Sequence, residues 1–356
     1  MIVRYVYRDL GIVYEIPDIC TIVLRALRRI PPGRVVTYRE IGLALGDIIA
    51  ARAVGYIMAT NRRPDLYPCY KVVNSDGRVG GYSLGVETKI SLLRREGIRI
   101  HQGKIENLEE IAITADSLRI PPVLESLRRI QNYLSYKNAY RPLPSNIRYV
   151  ASFDLSYVNG PPDIGIGVGC LFDLKKKALI AVSICALPIF MPYIPTYLAF
   201  RELPSILLAL EMLNRIGTPQ ILLLDGQGIL HPRKFGIATH AGLIVGIPSI
   251  GIAKSILVGK ISDRWVGKDG IRYAPIEHHG ETLGYVVERG KHMIVVSPGS
   301  YVSLDDALEF VLSLEWKEHY PEPTVMFAPH RIATMFRKHM RRLMRQQTTL
   351  TSYLRG

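Results

Sequence analysis

Two domains are predicted, a small helical one of helix-turn-helix type and a larger one of α/β type, and three observations predict them. With 356 residues the chain exceeds what a single core of ordinary size encloses, and its 48% apolar content can fill two. The texture changes near residue 149, from apolar residues at helical spacing to apolar runs interrupted by helical stretches, the pattern of strands alternating with crossing helices. Charge is divided along the same line. Residues 1–100 hold 16 Lys/Arg against 9 Asp/Glu, residues 101–330 hold 22 of each, and the last 26 residues hold 7 basic residues and no acid. The net charge of +14 is thus concentrated in the first domain and the tail. Basic side chains set on phosphates release counterions, so these regions are the expected grips on a polyanion.

The first helix is expected over residues 18–29, with Ile19, Ile22, Val23, Ala26, Leu27 and Ile30 on one stripe, Asp18 as N-cap and Pro31-Pro32-Gly33 as the stop. Two short helices follow, over 38–45 and 49–60, parted at Gly46-Asp47, with Thr37 and Glu40 as a capping box. The first domain is expected to end near residues 97–103, giving 1–103. A helical connector follows over 104–140, where Leu118, Val123, Leu124, Leu127 and Ile130 can pack. Strands are expected over 149–157, 165–172, 178–186 and 220–225, and helices over 200–214 and 239–245. The second domain would then cover 141–335 and a basic tail 336–356.

Residues 178–200 carry no charge and are long enough to imitate a membrane span. Pro188, Pro192 and Pro195 would break a lipid-exposed helix, so a buried strand followed by a rigid loop is expected instead, with no membrane partner. No basic-apolar-small order marks a signal peptide at the amino terminus. Cys20, Cys69, Cys170 and Cys185 have neither metal-ligand spacing nor the density of a disulfide framework, which suggests a reducing cytoplasm.

Cys69 lies in Pro68-Cys69-Tyr70-Lys71-Val72-Val73, between a helix and the turn Asp76-Gly77-Arg78-Val79-Gly80-Gly81-Tyr82. A lone buried cysteine is usually inert packing. Its setting is specific, however: Arg34-Val35-Val36-Thr37-Tyr38, Ala51-Arg52-Ala53-Val54-Gly55, Asn61, Gly80-Gly81-Tyr82-Ser83, Lys89 and Leu92-Leu93-Arg94-Arg95-Glu96-Gly97 occur in one order. Over residues 18–100 the string resembles the carboxy-terminal domain of the O6-alkylguanine-DNA alkyltransferases, which implies a winged helix-turn-helix-like fold. It also implies transfer of an alkyl group from a flipped-out guanine to a cysteine thiolate. By position Cys69 matches the acceptor and Glu96 the carboxylate behind it. Arg52 matches the residue that fills the vacated stack, Tyr38 the one that helps rotate the nucleotide, and Asn61 the hinge. Tyr82 and Ser83 fall in the loop lining the base pocket. The sequence departs at Tyr70, where the family has a proton-relaying histidine, and at Lys71, where it usually has arginine. A neutral phenol is a poor base at pH 7, so lesion binding with slowed transfer is expected, or a docking role alone.

The second constellation is acidic. Asp154 lies in Val150-Ala151-Ser152-Phe153-Asp154-Leu155-Ser156-Tyr157, Glu202 in Phe200-Arg201-Glu202-Leu203-Pro204, and Asp225 closes Ile221-Leu222-Leu223-Leu224-Asp225. A carboxylate ending a continuous apolar strand sits near the core edge, where its charge needs a partner. Converging carboxylates are stabilised by a hard cation. Asp225-Gly226-Gln227-Gly228-Ile229-Leu230-His231-Pro232-Arg233-Lys234-Phe235-Gly236, with Pro192-Tyr193-Ile194-Pro195 and Gly251-Ile252-Ala253-Lys254-Ser255, resembles endonuclease V over about residues 115–335.

That resemblance implies a ribonuclease-H-like α/β fold and a Mg²⁺-dependent nuclease, with Mn²⁺ as substitute. It would nick DNA at the second phosphodiester 3′ of deoxyinosine. Asp154, Glu202 and Asp225 match the metal-binding and catalytic acids, and His231 and Lys254 match positions near the phosphate. Tyr193, flanked by Pro192, Ile194 and Pro195, matches the wedge that enters the duplex, while Leu198 and Gly236 match the base pocket. Ser300 stands where the family has a histidine associated with metal or water, so restoring histidine there is expected to keep or raise nicking. Thr196 replaces a small residue after the wedge. The expected partner is double- or single-stranded DNA with damaged bases, met by a monomer. The alternative is inosine-containing RNA, with the first domain only a docking module.

Overall fold

The computed structural model describes residues 1–353 apart from Pro161 and Asp269, with side chains described as far as Met344 except at Lys268. Residues 345–356 of the expected basic tail therefore lie, wholly or in their side chains, outside the described residues.

The chain opens with a hairpin that the sequence reading did not anticipate, β1 (Ile2–Tyr7) and β2 (Ile12–Pro17). Its inner residues Tyr7, Tyr14 and Ile16 are buried, and the Tyr7 hydroxyl donates to the Pro204 carbonyl of the second domain at 2.7 Å. Helix α1 (Ile19–Leu27) starts where expected, because the Asp18 carboxylate accepts from the Thr21 N–H. Strand β3 (Val36–Thr37) leads into α2 (Tyr38–Ala44), and a 3₁₀ turn (Ile48–Ala50) leads into α3 (Ala51–Ala59). Only half of the capping box forms. Thr37 Oγ1 accepts from the Glu40 N–H, but the Glu40 carboxylate turns away to the Ala115 N–H at 2.8 Å.

Strand β4 (Val72–Val73) pairs in parallel with β3, which seats the turn carrying Cys69 beside the helix-turn-helix. Helix α4 (Val86–Arg95), the hairpin β5 (Ile100–His101) and β6 (Lys104–Ile105), α5 (Leu108–Ile111) and α6 (Val123–Ser135) complete this half.

In the second half β7 (Tyr149–Val158), β8 (Asp163–Asp173) and β9 (Ala178–Ile189) form an antiparallel meander. After them come α7 (Leu198–Asn214), β10 (Ile221–Asp225), α8 (Ile237–Val245) and β11 (Ser249–Ala253). Then follow β12 (Lys260–Ile261), β13 (Val266–Lys268), β14 (Ile271–His278), β15 (Glu281–Arg289) and β16 (His292–Pro298). Helices α9 (Leu304–Ser313) and α10 (Thr324–Tyr353) end the described chain.

Among the described residues ten strands make one sheet, ordered β12-β14-β15-β16-β11-β10-β7-β8-β9 with β13 on β14. Only β10 is parallel to its neighbours, β7 and β11. Side chains alternate across such a sheet. Ala151, Phe153, Leu222 and Leu224 join the core under α7 and α8, whereas Val150, Ile221 and Leu223 join the one under α9 and α10.

Two expectations change. Strand β9 is not buried: it is the sheet edge, with Leu179, Ile180 and Val182 exposed. The basic segment after residue 335 is not a separate tail but continues α10. No helix among the described residues is long and apolar enough to cross a membrane.

Candidate functional site

Cys69 sits at a cavity of about 240 Å³ that Tyr38, Gly55, Met58, Ala59, Gly81, Tyr82 and Ser83 also line. Tyr82 and Ser83, expected in the base-pocket loop, and Tyr38, expected to help rotate the nucleotide, are thus brought to the thiol. Asn61 lies behind it, its Nδ2 donating to Cys69 Sγ at 3.1 Å and to the Tyr67 carbonyl. Arg52 lies on α3, exposed and without a hydrogen bond or ion pair among the described residues. Tyr70 takes the histidine's link to the carboxylate: its hydroxyl donates to Glu96 Oε1 at 2.5 Å. Glu96 Oε2 meets the Lys71 ammonium at 2.8 Å and the Gly33 N–H at 3.0 Å. Burial alone would raise the Glu96 pKa, but Lys71, Tyr70 and Gly33 outweigh it and hold the group below the usual range. Burial pushes the Cys69 thiol up, against the opposing Asn61 hydrogen bond.

Lys89 has no role evident from the sequence alone. It is fully buried, donates to the Val72 and Gly81 carbonyls at 2.6 and 3.2 Å, and is lowered by desolvation to a pKa of about 8.

Two of the three expected acids, Asp154 and Asp225, gather as their strands dictate. Leu224 of β10 registers with Phe153 of β7, so Asp225 and Asp154 follow side by side on neighbouring parallel strands. Both point to the α10 face, where His330 Nδ1 lies 2.9 Å from Asp154 Oδ2. Asp154, Asp225 and His330 each offer a ligand atom, and these lie within 4.8 Å of one another. Two carboxylates and an imidazole on one concave spot suit a divalent cation.

Sequence reasoning missed His330, yet a signal existed. Ser152, Asp154 and Ser156 put three polar groups on one face of a buried strand. The two serines donate to the Val325 and Ala333 carbonyls of α10 at 2.6 and 2.7 Å. Pro329 lacks the N–H that would bond the Val325 carbonyl, so Ser152 satisfies it, and the helix is pinned with His330 over Asp154. Glu322 was also missed. It is buried, its Oε1 has no hydrogen-bond partner among the described residues, and its charge couples to Lys254, Asp225, His330 and Asp154.

Glu202, expected as a third metal ligand, is not in the group of Asp154, Asp225 and His330: it approaches from α7 on the other side of the sheet and accepts a hydrogen bond from the Tyr157 hydroxyl. Burial is the main cause of its pKa rise to about 8, reinforced by Asp154 and Asp225. Asp225 is likewise raised by burial, although Lys254 Nζ sits 2.6 Å from its Oδ2.

Beside this cluster lies a cavity of about 280 Å³ lined by Tyr193, Leu198, Gly236, Asp225, Lys254 and His231 among others. Tyr193 is exposed; Pro192 and Ile194 are buried and serve the loop's base rather than its tip, and Pro195 is half-buried. Gly236 is needed by close approach, since a Cβ there would lie 2.2 Å from the Gln227 carbonyl oxygen.

His231 does not bring positive charge to this place. It is buried, and desolvation lowers its pKa to about 3. Its neutral ring therefore donates through Nε2 to the Thr196 carbonyl and accepts the Arg233 N–H at Nδ1. Thr196 itself adopts φ +68°, a left-handed conformation uncommon for a β-branched residue, held by Arg233, Gln131 and His231 on its carbonyl. Ser300 does not stand in at the cluster. It is fully buried, its hydroxyl donates to the Thr239 carbonyl, and its amide donates to Ser249 Oγ.

Comparison with known proteins agrees with this geometry. Residues 130–328 match the family described as Endonuclease V, and residues 18–98 match 6-O-methylguanine DNA methyltransferase, DNA binding domain. A bifunctional methyltransferase/endonuclease from Picrophilus torridus is 36% identical over 86% of this chain and 93% of its own. A protein of the same description from Thermoplasma volcanium is 33% identical over 87% and 88%. The crystal structure of endonuclease V from Bacillus subtilis covers 63% of this chain and 94% of its own at 27% identity, with a TM-score of 0.55. With one family covering more than half of it and bifunctional relatives spanning nearly all of it, the chain belongs to the endonuclease V family, as a DNA-repair endonuclease of the bifunctional methyltransferase/endonuclease kind.

Proposed function

We propose that the second domain nicks DNA at the second phosphodiester 3′ of a deaminated purine, deoxyinosine above all, and that the first binds O6-alkylguanine and transfers its alkyl group slowly to Cys69. The observation that carries the nuclease reading is the meeting of Asp154, Asp225 and His330 beside a cavity roomy enough for an extruded base. In this reading these three hold the cation, Mg²⁺ or in its place Mn²⁺, and a bound cation would supply Lewis-acid stabilisation of the phosphate. Burial raises the Glu202 pKa, which suits this residue to exchange a proton with water. Lys254 sets an ammonium at the cavity wall, placed to steady developing charge. Tyr193, exposed on a loop stiffened by Pro192 and Pro195, enters the stack where the base leaves. Leu198 and Gly236 line its pocket.

In the first domain Arg52 fills the gap left by a flipped guanine, which Tyr38, Tyr82 and Ser83 receive above Cys69. Transfer forms a bond from Cys69 Sγ to the alkyl carbon, breaks its bond to O6, and leaves the thiol proton with guanine. We divide the labour at residues 1–103 for lesion reading, 104–140 for connection and 141–335 for cleavage. Cleavage of duplexes carrying deoxyinosine, deoxyuridine, deoxyxanthosine, a mismatch or O6-methylguanine, with and without Mg²⁺, tests the reading. Matched inosine RNA tells DNA from RNA as substrate, and label from O6-methylguanine on Cys69 tests transfer. Metal-independent cutting, or equal cutting of unmodified DNA, refutes the nuclease assignment.

A further inference from the structure

The loop that carries Tyr193 is tied at both ends to the first domain. At its start the Met191 carbonyl accepts from Arg201 Nη1 at 2.7 Å. Arg201 also reaches Asp163 at 3.7 Å, and Asp163 accepts the hydroxyl of Tyr56, with its two oxygens 2.7 and 2.6 Å away. Tyr56 belongs to α3, the second helix of the helix-turn-helix and the one that bears Arg52. At the loop's far end the hydroxyl of Tyr197, a wholly buried ring, donates to Asp47 Oδ2 at 2.8 Å. Asp47 lies in the turn between α2 and α3, where its other oxygen accepts the Ile49 N–H. Both acceptors are carboxylates, and both donors are phenols on opposite sides of the domain boundary.

From this we infer that the helix-turn-helix of the first domain seats the duplex-opening loop of the second, through Tyr56–Asp163–Arg201 at one end and Asp47–Tyr197 at the other. The inference rests on reading Tyr193 as the wedge. A side chain that separates stacked bases must resist the load of the stack, and a loop outside regular structure is the least stable part of a fold. The left-handed Thr196 adds to that need, since its backbone holds only if its surroundings over-determine it. Proline stiffens the loop internally, and Gln131, His231 and Arg233 hold the Thr196 carbonyl from within the second domain. Two charge-assisted hydrogen bonds across the domain boundary add a hold from the first domain, and they make Tyr56 and Tyr197 positioning residues for strand opening. The first domain then has a use in cleavage that does not depend on Cys69.

The experiment compares Tyr56→Phe, Tyr197→Phe and the double variant in the full chain. Each change removes one hydroxyl and keeps the ring. Nicking is measured in single turnovers, with enzyme and Mg²⁺ saturating, on a fully paired deoxyinosine duplex and on the same strand with the lesion in an unpaired bubble. Each single variant should slow duplex cutting about tenfold, the scale of one charge-assisted hydrogen bond, and the double variant further. Bubble cutting should stay within about twofold, because the cluster of Asp154 and Asp225 is untouched. Tyr193→Ala should lower the duplex-to-bubble ratio of cutting rates as well.

If Tyr193→Ala changes the duplex-to-bubble ratio while the double variant does not, the clamp is overturned and the wedge stands. If Tyr193→Ala leaves the ratio unchanged, the wedge reading falls and the clamp with it. Should the double variant fail to fold by its melting curve, the two single variants decide on the same ratio.

Discussion

The two sites handle buried charge in opposite ways. Around Cys69 the charged groups are neutralised from within: Glu96 has Lys71, Tyr70 and the Gly33 amide, and Lys89 has two carbonyls. Around Asp225 the balance fails, because the four carboxylates of Asp154, Asp225, Glu202 and Glu322 share one region with Lys254, His330 and, beside Glu202, Arg201 against them. Unpaired buried carboxylates hold their protons unless a cation arrives. A self-satisfied site is stable but unreactive, whereas a frustrated one is built to be completed by something from outside. That imbalance supports the proposed cation site in the nuclease half, whereas the Cys69 thiol accepts a hydrogen bond from the Asn61 amide and has a phenol, Tyr70, next to it in sequence.

The largest effect should come from removing a member of the frustrated cluster. Asp225→Ala or Asp154→Ala should reduce nicking by about 10³-fold or more, since each supplies one of the three ligand atoms of the cluster. Residual cutting at the wild-type rate, by protein free of host nuclease, would break the comparison at its stronger end. Chelation of divalent ions should match this loss in the unmutated protein and leave label transfer to Cys69 untouched.

Supplying the missing base tests the weaker end. Tyr70→His would put an imidazole between Cys69 and Glu96, where a phenol now donates to the carboxylate. Transfer from labelled O6-methylguanine should rise by about 10²-fold, the usual scale of general-base help, with nicking unchanged. No gain in label would show that the thiol is limited by burial or by base flipping instead.

Packing gives a smaller effect. Gly236→Ala should lower stability by about 1–3 kcal/mol, because its Cβ would collide with the Gln227 carbonyl backbone. Ser300→His should destabilise by a similar amount, about 1–3 kcal/mol, since that hydroxyl fills a closed core site. Thermal melts of the two variants check both.

Ser300 also shows where sequence reading runs out. A histidine missing from one loop suggested a substitution within the site, but which loop faces a metal depends on sheet order, and β16 and its following turn lie across β11 from the acids. Asp154 and Asp225 were legible because each interrupts an apolar run, and Cys69 because its neighbours in sequence are its neighbours in space. For His330 the polar face of Ser152, Asp154 and Ser156 signals a partner but not which one, since that depends on a helix 176 residues away docking on β7. The hairpin at residues 2–17 was overlooked although its alternation is visible, because its inner face is completed by α7 and α8, far along the chain. His231 misled in the other direction: its motif is distinctive, yet its burial turns a cation into a neutral hinge pin.

The smallest effect concerns pH at the cysteine. Burial holds the Cys69 pKa above its ordinary value, so at pH 7 only a minor fraction is thiolate. Raising pH deprotonates it, and the rate of alkylation by a small neutral reagent, followed by peptide mapping at Cys69, should keep climbing past pH 8.5. An activated thiol would instead level off near neutrality. Lys89 sharpens the curve. Its pKa of about 8 means that its positive charge, which favours the thiolate, is present below that pH and fades above it. The climb should therefore be shallower than that of a free thiol once pH exceeds 8, as the supporting charge disappears while the thiolate forms. A plateau below pH 7.5 would mean that some group near Cys69 takes its proton after all, and the contrast between the two sites would be lost.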